Sequence, residues 1–190
     1  MSNLKINPWR EVWLHPRNTI KAILKYNPKY MVLPIVILAN ASAFLSDIEL
    51  VKFASEYSYI GLALIGAMLG VAMFYLAALL YSITGQWIGG KADALKLRAA
   101  IAWSMLPMAA GSILVIPFVF AVRNNSFAII SSILLIFQIL IVWAFILHVG
   151  MISEVQKFSI WKAILNGLLA SMLLVLPILM LFVSLFASFG

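Results

Sequence analysis

The sequence predicts an all-α integral membrane protein with five transmembrane helices, a cytoplasmic N-terminus and an external C-terminus. Of its 190 residues, 65% are hydrophobic and only 10% are charged, whereas soluble domains carry about 25% charged residues. Such a chain cannot enclose its apolar surface in one aqueous core and still cover its outside with polar groups. The second observation is that its basic residues concentrate in alternate loops, which is the pattern of a multi-pass membrane protein.

Five apolar runs approach or exceed the roughly 20 residues that a helix needs to cross a bilayer. They cover residues 30–46, 59–84, 99–122, 127–153 and 163–189. The first is short and contains Pro34 and Asn40, so it is the weakest of the five. The sequence thus divides into a tail, residues 1–29, and a membrane domain, residues 30–190.

The distribution of Lys and Arg predicts the orientation. Eleven of the 13 lie in the tail, in the loop between the second and third runs, and in the loop between the fourth and fifth. Only Lys52 and Arg123 lie on the other side. Since cytoplasmic loops carry the excess of Lys and Arg, the tail is expected in the cytoplasm. With this topology, the charge of +7 favours anionic lipid headgroups over nucleic acid as its partner.

The tail predicts an amphipathic helix from Pro16 to Asn27, lying in the cytoplasmic interface. Pro16 suits a first helical turn, where its missing N–H is not needed. Apolar and basic residues then fall on different faces. The apolar face carries Ile20, Ile23 and Leu24, and the basic face carries Lys21, Lys25 and Lys29. Trp9, Trp13 and Trp87 are predicted interfacial anchors, because indole rings favour the headgroup level.

No Asp, Glu, Lys or Arg lies inside a predicted span, which disfavours an ion-coupled carrier or a proton pump. The polar side chains there include Asn40, Gln138, His148 and Asn166. Gln138 falls near the middle of the bilayer, so its amide is expected to bond to a neighbouring helix. His148 falls near the cytoplasmic end of the fourth span, where a hydrogen-bonding role is favoured over metal binding or catalysis.

Small residues and prolines predict how the spans pack. Gly66 and Gly70 form a G-x-x-x-G pair, which permits close approach of another helix, either within the bundle or from a second copy. Pro107 and Pro117 in the third span and Pro177 in the fifth are expected to kink their helices.

The segment Gly85–Ala92 reads G-x-x-x-x-G-K-A, one residue short of a phosphate-binding loop. Ala92 stands where that loop has a Ser or Thr for Mg²⁺, and a membrane span replaces the strand that should precede the loop. The sequence therefore predicts no nucleotide binding. The chain has no cysteine and only two histidines, His15 and His148, and neither lies in a catalytic or metal-binding motif. We expect no catalytic, cofactor or metal site and no enzymatic activity.

Three segments resemble the bacterial branch of the Yip1 family. These are NPWREVWLHPRNTIKAIL near the N-terminus, GGKADALKLRAAIAWSMLP in the middle and FSIWKAILNG before the last span. The matching residues are Trp9, Pro16, Arg17, Thr19, Gly89, Gly90, Ser104, Pro107, Ser159, Lys162 and Ala163. The resemblance implies about five spans, a cytoplasmic N-terminus and a non-enzymatic membrane role. Eukaryotic members act in traffic between endoplasmic reticulum and Golgi, but their D-L-Y-G-P stretch is absent here, so that role does not carry over.

We therefore predict a membrane-organising scaffold or adaptor that acts through a basic cytoplasmic face. The residues expected to contact a partner or lipid headgroups are Lys21, Lys25, Lys91, Lys96 and Arg98. The partner would be a second copy of this chain or another membrane protein. One alternative is a transporter, channel or lipid-translocating protein, with a path near Asn40, Gln138 and Asn166. A second is a lipid-modifying enzyme, which would need another catalytic group beside His148.

Overall fold

The computed structural model describes residues 6–54 and 58–188, and the regular structure in these two ranges is helical throughout. The α-helices are α1 Pro8–Glu11, α2 Pro16–Tyr26, α3 Val32–Leu45, α4 Ile48–Phe53, α5 Ser58–Trp87, α6 Ala94–Ser104, α7 Leu106–Ala110, α8 Val115–Arg123, α9 Phe127–Gln156 and α10 Ile160–Ser188. A 3₁₀ helix, Gly111–Leu114, joins α7 to α8.

Within the described ranges, four helical segments are long and apolar enough to cross a membrane. They are Ser58–Trp87, Leu106–Arg123, Phe127–Gln156 and Ile160–Pro177. Much of their surface carries large apolar side chains that face outward, such as Leu64, Met68, Leu135, Ile139 and Met172. This surface is typical of helices that are solvated by lipid tails.

The first predicted span, residues 30–46, is only a shorter apolar helix, α3, with 14 residues. A helix of that length extends about 21 Å, less than the roughly 30 Å of a bilayer core. Two local features limit it. Met31 has a left-handed conformation with φ 55°, and Asp47 caps the next helix by accepting a hydrogen bond from the backbone N–H of Leu50 at 2.9 Å.

The third predicted span, residues 99–122, is not one continuous helix. It starts earlier, at Ala94, and is divided into α6, α7, the 3₁₀ segment and α8. Pro107 is the second residue of α7 and Pro117 the third of α8. Both lie in a first turn, where a backbone N–H has no partner within the helix. These prolines therefore lie where new helical segments start, and the predicted kinks of this span stay a prediction. Pro177, by contrast, lies inside the continuous helix α10.

The predicted amphipathic helix is α2, but its apolar face packs on protein and not on lipid. Thr19, Ile20 and Ile23 are fully buried, and α2 contacts α6 and α9. Val12, just before it, belongs to the same core cluster. The predicted placement of this apolar face in the membrane interface is thus corrected, since helices of the bundle already cover it.

The helices meet at two ends of the bundle. At one end lie α2, the last turns of α5 and α9, and the first turns of α6 and α10. We call it the basic end, because the loops that gather there contain most of the Lys and Arg residues. The opposite end contains α4, the first turns of α5 and α9, and the last turn of α8. There Arg123 Nε donates to the Tyr59 hydroxyl at 2.7 Å, and that hydroxyl donates to the Val51 carbonyl at 3.4 Å.

Helix α3 packs antiparallel along α5 through the predicted G-x-x-x-G pair. A Cβ atom on Gly70 would lie 2.1 Å from Cγ of Asn40, and one on Gly66 would lie 2.7 Å from Cγ of Phe44. Real Cβ atoms do not approach other heavy atoms so closely, so both positions require glycine unless α3 moves away. Within this chain, the glycine pair therefore allows the close approach of α3 to α5.

We expect Gly70→Ala to destabilise the protein by about 1–3 kcal/mol, because the new methyl group overlaps Asn40 in a packed helix contact. Gly61→Ala in the same helix is the matched control, since no heavy atom lies within 4 Å of its Cβ position. That change should leave the stability unchanged or raise it slightly. Thermal unfolding in detergent measures both; equal midpoints for the two variants would contradict the packing described here.

Candidate functional site

A buried polar cluster lies at the basic end, around the turn between α5 and α6, which the side chain of Gln156 fills. Gln156, the last residue of α9, is fully buried. Its Oε1 accepts a hydrogen bond from the Ala92 N–H at 3.0 Å, and its Nε2 donates to the Tyr81 carbonyl at 3.1 Å. One side chain thus joins α9 to α5 and to the turn that precedes α6.

The glycines of the G-x-x-x-x-G-K-A segment make room for this amide. A Cβ on Gly85 would lie 2.0 Å from Gln156 Nε2, and a Cβ on Gly90 would lie 2.3 Å from Gln156 Oε1. Between them, Gly89 has φ +89°, a turn conformation that glycine adopts without strain. In a nucleotide-binding protein, such a turn surrounds phosphates. Here it surrounds a carboxamide, so the same glycine spacing serves helix packing.

Tyr81 on α5 is the centre of this polar cluster. Besides the bond from Gln156, its carbonyl accepts one from Asn166 Nδ2 at 3.3 Å. Asn166, on α10, is fully buried, and its Oδ1 accepts from the Thr84 hydroxyl at 2.6 Å. Asn166 therefore ties α10 to α5 in the way that Gln156 ties α9 to α5.

His148 on α9 completes the cluster on its membrane side. Its Nε2 lies 2.9 Å from the Tyr81 hydroxyl and its Nδ1 3.0 Å from the Ser104 hydroxyl. Ser104 Oγ donates its hydrogen to the Ile101 carbonyl at 2.7 Å. The imidazole therefore donates a hydrogen bond from Nδ1 to Ser104 and accepts one at Nε2 from the Tyr81 hydroxyl. The result is a directed chain of hydrogen bonds through a neutral histidine.

This geometry bears on the enzyme alternative, since it places Ser104 and Tyr81 beside His148. A nucleophilic serine must donate its proton to the base and must reach a substrate. Ser104 donates instead to the backbone of its own helix, and it is only 2% exposed. In the two described ranges, no group of three or more His, Cys, Asp and Glu side chains could hold a metal ion. The arrangement fits helix packing.

Charged side chains surround the polar cluster at the surface of the basic end. Arg17 Nη2 donates to the Ser153 hydroxyl at 2.9 Å. Lys21 lies 3.3 Å from the carboxylate of Glu154, which also pairs with Lys157. These contacts fix α2 against the end of α9, so Lys21 is engaged within the chain.

The other predicted contact residues differ in their exposure and in whether they pair with a carboxylate. Lys96 lies 3.3 Å from Asp93, the residue that caps α6. The Lys96 backbone N–H, which donates to Asp93 Oδ1 at 2.9 Å, and the Lys96 ammonium hold the pKa of that carboxyl below its usual value. Lys25 and Lys91 are exposed, whereas Arg98 is half-buried between helices.

The three predicted tryptophan anchors occupy different environments. Trp87 is 63% exposed at the end of α5, as an interfacial side chain would be. Trp9 is less exposed, and its ring centre lies 5.2 Å from that of the fully buried Trp103. Trp13 donates from its indole nitrogen to the Trp9 carbonyl at 2.9 Å. Trp9 and Trp13 thus take part in packing α1 on the bundle.

The residues of the predicted transport path have different contacts. Asn40 donates to the Val36 carbonyl of its own helix at 2.8 Å and faces Gly70. Asn166 belongs to the polar cluster of the basic end. Gln138 is exposed on α9, and no hydrogen bond to it occurs among the described residues. The bonding partner that we expected for Gln138 on a neighbouring helix is therefore not found in the described part of this chain.

Two members of the cluster, Tyr81 and Gln156, were not singled out from the sequence. Gln156 lies beyond the apolar run, so hydropathy places it in a loop. The available signal was the combination of Gly85 and Gly90 with a polar residue at a helix end, but the sequence does not say which helix end reaches that turn.

A double-mutant cycle should detect the contact between Gly85 and Gln156. Gly85→Ala alone should destabilise by about 1–3 kcal/mol through overlap with the amide. Gln156→Ala alone should cost about as much, because it leaves the Ala92 N–H and the Tyr81 carbonyl without this partner. In the double variant the methyl group occupies the vacated space, so the two costs should not add, with a coupling of about 1 kcal/mol or more in thermal unfolding. Simple additivity would show that the two residues act independently.

Comparison with known proteins agrees with the resemblance seen in the sequence. The Yip1 domain model matches residues 10–184, which include α2 through most of α10 and every member of the polar cluster. No curated protein and no solved structure gives a significant match. Yip1-domain proteins are generally non-enzymatic proteins of membrane trafficking. The predicted family is confirmed: this chain is a multi-pass membrane protein that belongs to the Yip1 domain family.

Proposed function

We propose that this protein is a non-enzymatic scaffold or adaptor of a bacterial inner membrane, which organises partners through its basic end. The observation that carries the proposal is the contrast between the interior and that surface. Inside, the polar groups of Tyr81, His148, Gln156 and Asn166 bond to one another or to backbone. They bind the helices together and leave little for a substrate. Outside, basic side chains remain free to meet a partner.

The proposed topology has five crossings, with the N-terminal tail and the basic end in the cytoplasm. Helix α3 is short, but it runs from the basic end to α4 at the opposite end, beside the membrane-spanning α5. A crossing by a short helix is accommodated when the bilayer thins locally or flanking polar side chains reach out to the interface. The excess of Lys and Arg at one end supports the orientation.

The proposed partner within the membrane is a second copy of this chain or another membrane protein. Gln138 supports such a contact. It lies within about one helical turn of the middle of the 30-residue helix α9, and its side chain is exposed. A carboxamide at that depth gains a hydrogen bond when a partner helix covers it. The hydrogen bonds of Asn40 to its own helix and of Asn166 to α5 weigh against the transport alternative.

The topology can be tested with single cysteines, because the chain has none of its own. Lys25→Cys and Lys91→Cys should react alike with a membrane-impermeant maleimide, and Lys52→Cys should react only from the other side. Arg123→Cys serves as the control for the external side. If Lys25→Cys instead labels together with Lys52→Cys, α3 does not cross the membrane and the five-span topology is wrong.

The scaffold proposal predicts that the protein, extracted from its own membranes in mild detergent, is recovered as a homo-oligomer or with a stoichiometric partner. Removing two exposed charges, in Lys25→Gln/Lys91→Gln, should reduce that recovery severalfold, because surface charges steer association. Lys52→Gln removes a charge at the opposite end and is the control. Recovery of monomer alone, together with passage of solute or lipid across reconstituted vesicles, would replace the scaffold by a transporter.

A further inference from the structure

A cavity of about 440 Å³ opens between α3, α5 and α6 at the basic end. Its polar lining includes Lys29, just before α3, and Arg98 on α6. Its apolar lining includes Leu33, Tyr75 and Leu95. This volume is within the usual range for pockets that hold small molecules or headgroups.

The two cations of this cavity differ from Lys21, Lys96 and Lys157 at the same end, because neither is paired with a carboxylate of the described residues. Lys21, Lys96 and Lys157 each pair with a carboxylate. No carboxylate lies within ion-pair distance of Lys29 or Arg98 among residues 6–54 and 58–188, and none lines the cavity. Two positive charges beside one cavity repel each other, so an anion in the cavity would be favoured.

Arg98 is also held in position. Its Nε donates to the Ala94 carbonyl at 3.2 Å, and its guanidinium lies 5.0 Å from the centre of the Tyr75 ring. Its terminal amines have no hydrogen-bond partner in the described parts of the chain. A guanidinium fixed at one edge, with its outer N–H groups free, is arranged to donate two parallel bonds to a phosphate.

The apolar part of the cavity indicates what carries the phosphate. Leu33 is 42% exposed on α3, and Tyr75 is 41% exposed on α5, a candidate membrane-spanning helix. The cavity therefore has cations on one side and lipid-facing apolar side chains on the other. A soluble phosphate would use only the first part, whereas a phospholipid would use both.

From these observations we propose that the cavity between α3, α5 and α6 binds the headgroup phosphate of an anionic phospholipid, with Lys29 and Arg98 as its ligands and an acyl chain along Leu33. The site rests on the cytoplasmic position assigned to the basic end under the proposed function, but not on the scaffold role. Basic pockets between membrane helices on the cytoplasmic side recognise anionic headgroups by this chemistry.

The test is native mass spectrometry of the full-length protein in detergent, titrated with phosphatidylglycerol or with phosphatidylcholine of the same acyl chains. The wild type should retain one phosphatidylglycerol per chain in preference to phosphatidylcholine. Each lost cation should weaken binding about fivefold, so Lys29→Gln/Arg98→Gln should bind roughly 25-fold more weakly. Arg98→Lys should be intermediate, because it keeps the charge and loses the paired N–H groups.

The matched control is Lys25→Gln/Lys91→Gln, which removes the same charge from the same end but outside the cavity. This control should still bind phosphatidylglycerol but should recover less of the partner. Lys29→Gln/Arg98→Gln should lose phosphatidylglycerol and still recover the partner. Failure of the lipid site and failure of the scaffold role are therefore distinguishable. If Lys29→Gln/Arg98→Gln does not fold, the single variant Lys29→Gln, which changes an exposed side chain, gives the fivefold test. Equal loss in the control would show a diffuse surface effect and overturn the site.

Two other outcomes would also overturn it. Equal retention of phosphatidylcholine would show that the charge of the headgroup is not recognised. Full displacement of phosphatidylglycerol by glycerol phosphate at equal concentration would show that the acyl chain contributes nothing, and the ligand would then be a soluble phosphate.

Discussion

The carboxamide of Gln156 in the turn between α5 and α6 is the contact on which the rest of the structure depends. It satisfies the Ala92 N–H and the Tyr81 carbonyl at the point where the chain leaves one membrane helix and starts another. Without it the buried Ala92 N–H would lose this acceptor, at a cost of about 1–3 kcal/mol, whereas the Tyr81 carbonyl would keep its hydrogen bond from Asn166. The contact also fixes the end of α9, from which Glu154 pairs with Lys21 and holds α2 in place.

The same principle accounts for the polar side chains near the basic end. Within a membrane, apolar burial does little to join one helix to another, because lipid tails are as apolar as the side chains. Small residues and hydrogen bonds between helices therefore take that role. Gly70 lets α3 approach α5, Asn166 joins α10 to α5, and His148 joins α9 to both α5 and α6. The buried polar groups thus form hydrogen bonds that hold the helices together. For that reason we place the functional surface on the outside of the bundle.

At that surface, paired and unpaired cations have different roles. Lys21 and Lys157 share one carboxylate and fasten the fold, and Lys96 pairs with the residue that caps α6. Lys29 and Arg98 line a cavity without a carboxylate, and Lys25 and Lys91 are exposed. Of these seven basic residues, one group thus holds the helices, and we propose that the second binds an anion and the third meets a partner. The variants that separate lipid retention from partner recovery follow this division.

The sequence alone determined the membrane class, the four long spans, the amphipathic pattern of α2 and the family, because hydropathy, charge asymmetry and short motifs are local properties of the chain. It did not determine that α3 stops after 14 residues or that the third span is divided, since those depend on Met31, Asp47 and the positions of two prolines in their helices. Only the tertiary structure decided what covers α2, what fills the Gly85–Ala92 turn and that Lys21 pairs with Glu154. Those facts depend on which helix ends meet, and residues 60 or more positions apart must come together before their hydrogen bonds and charges can be assigned.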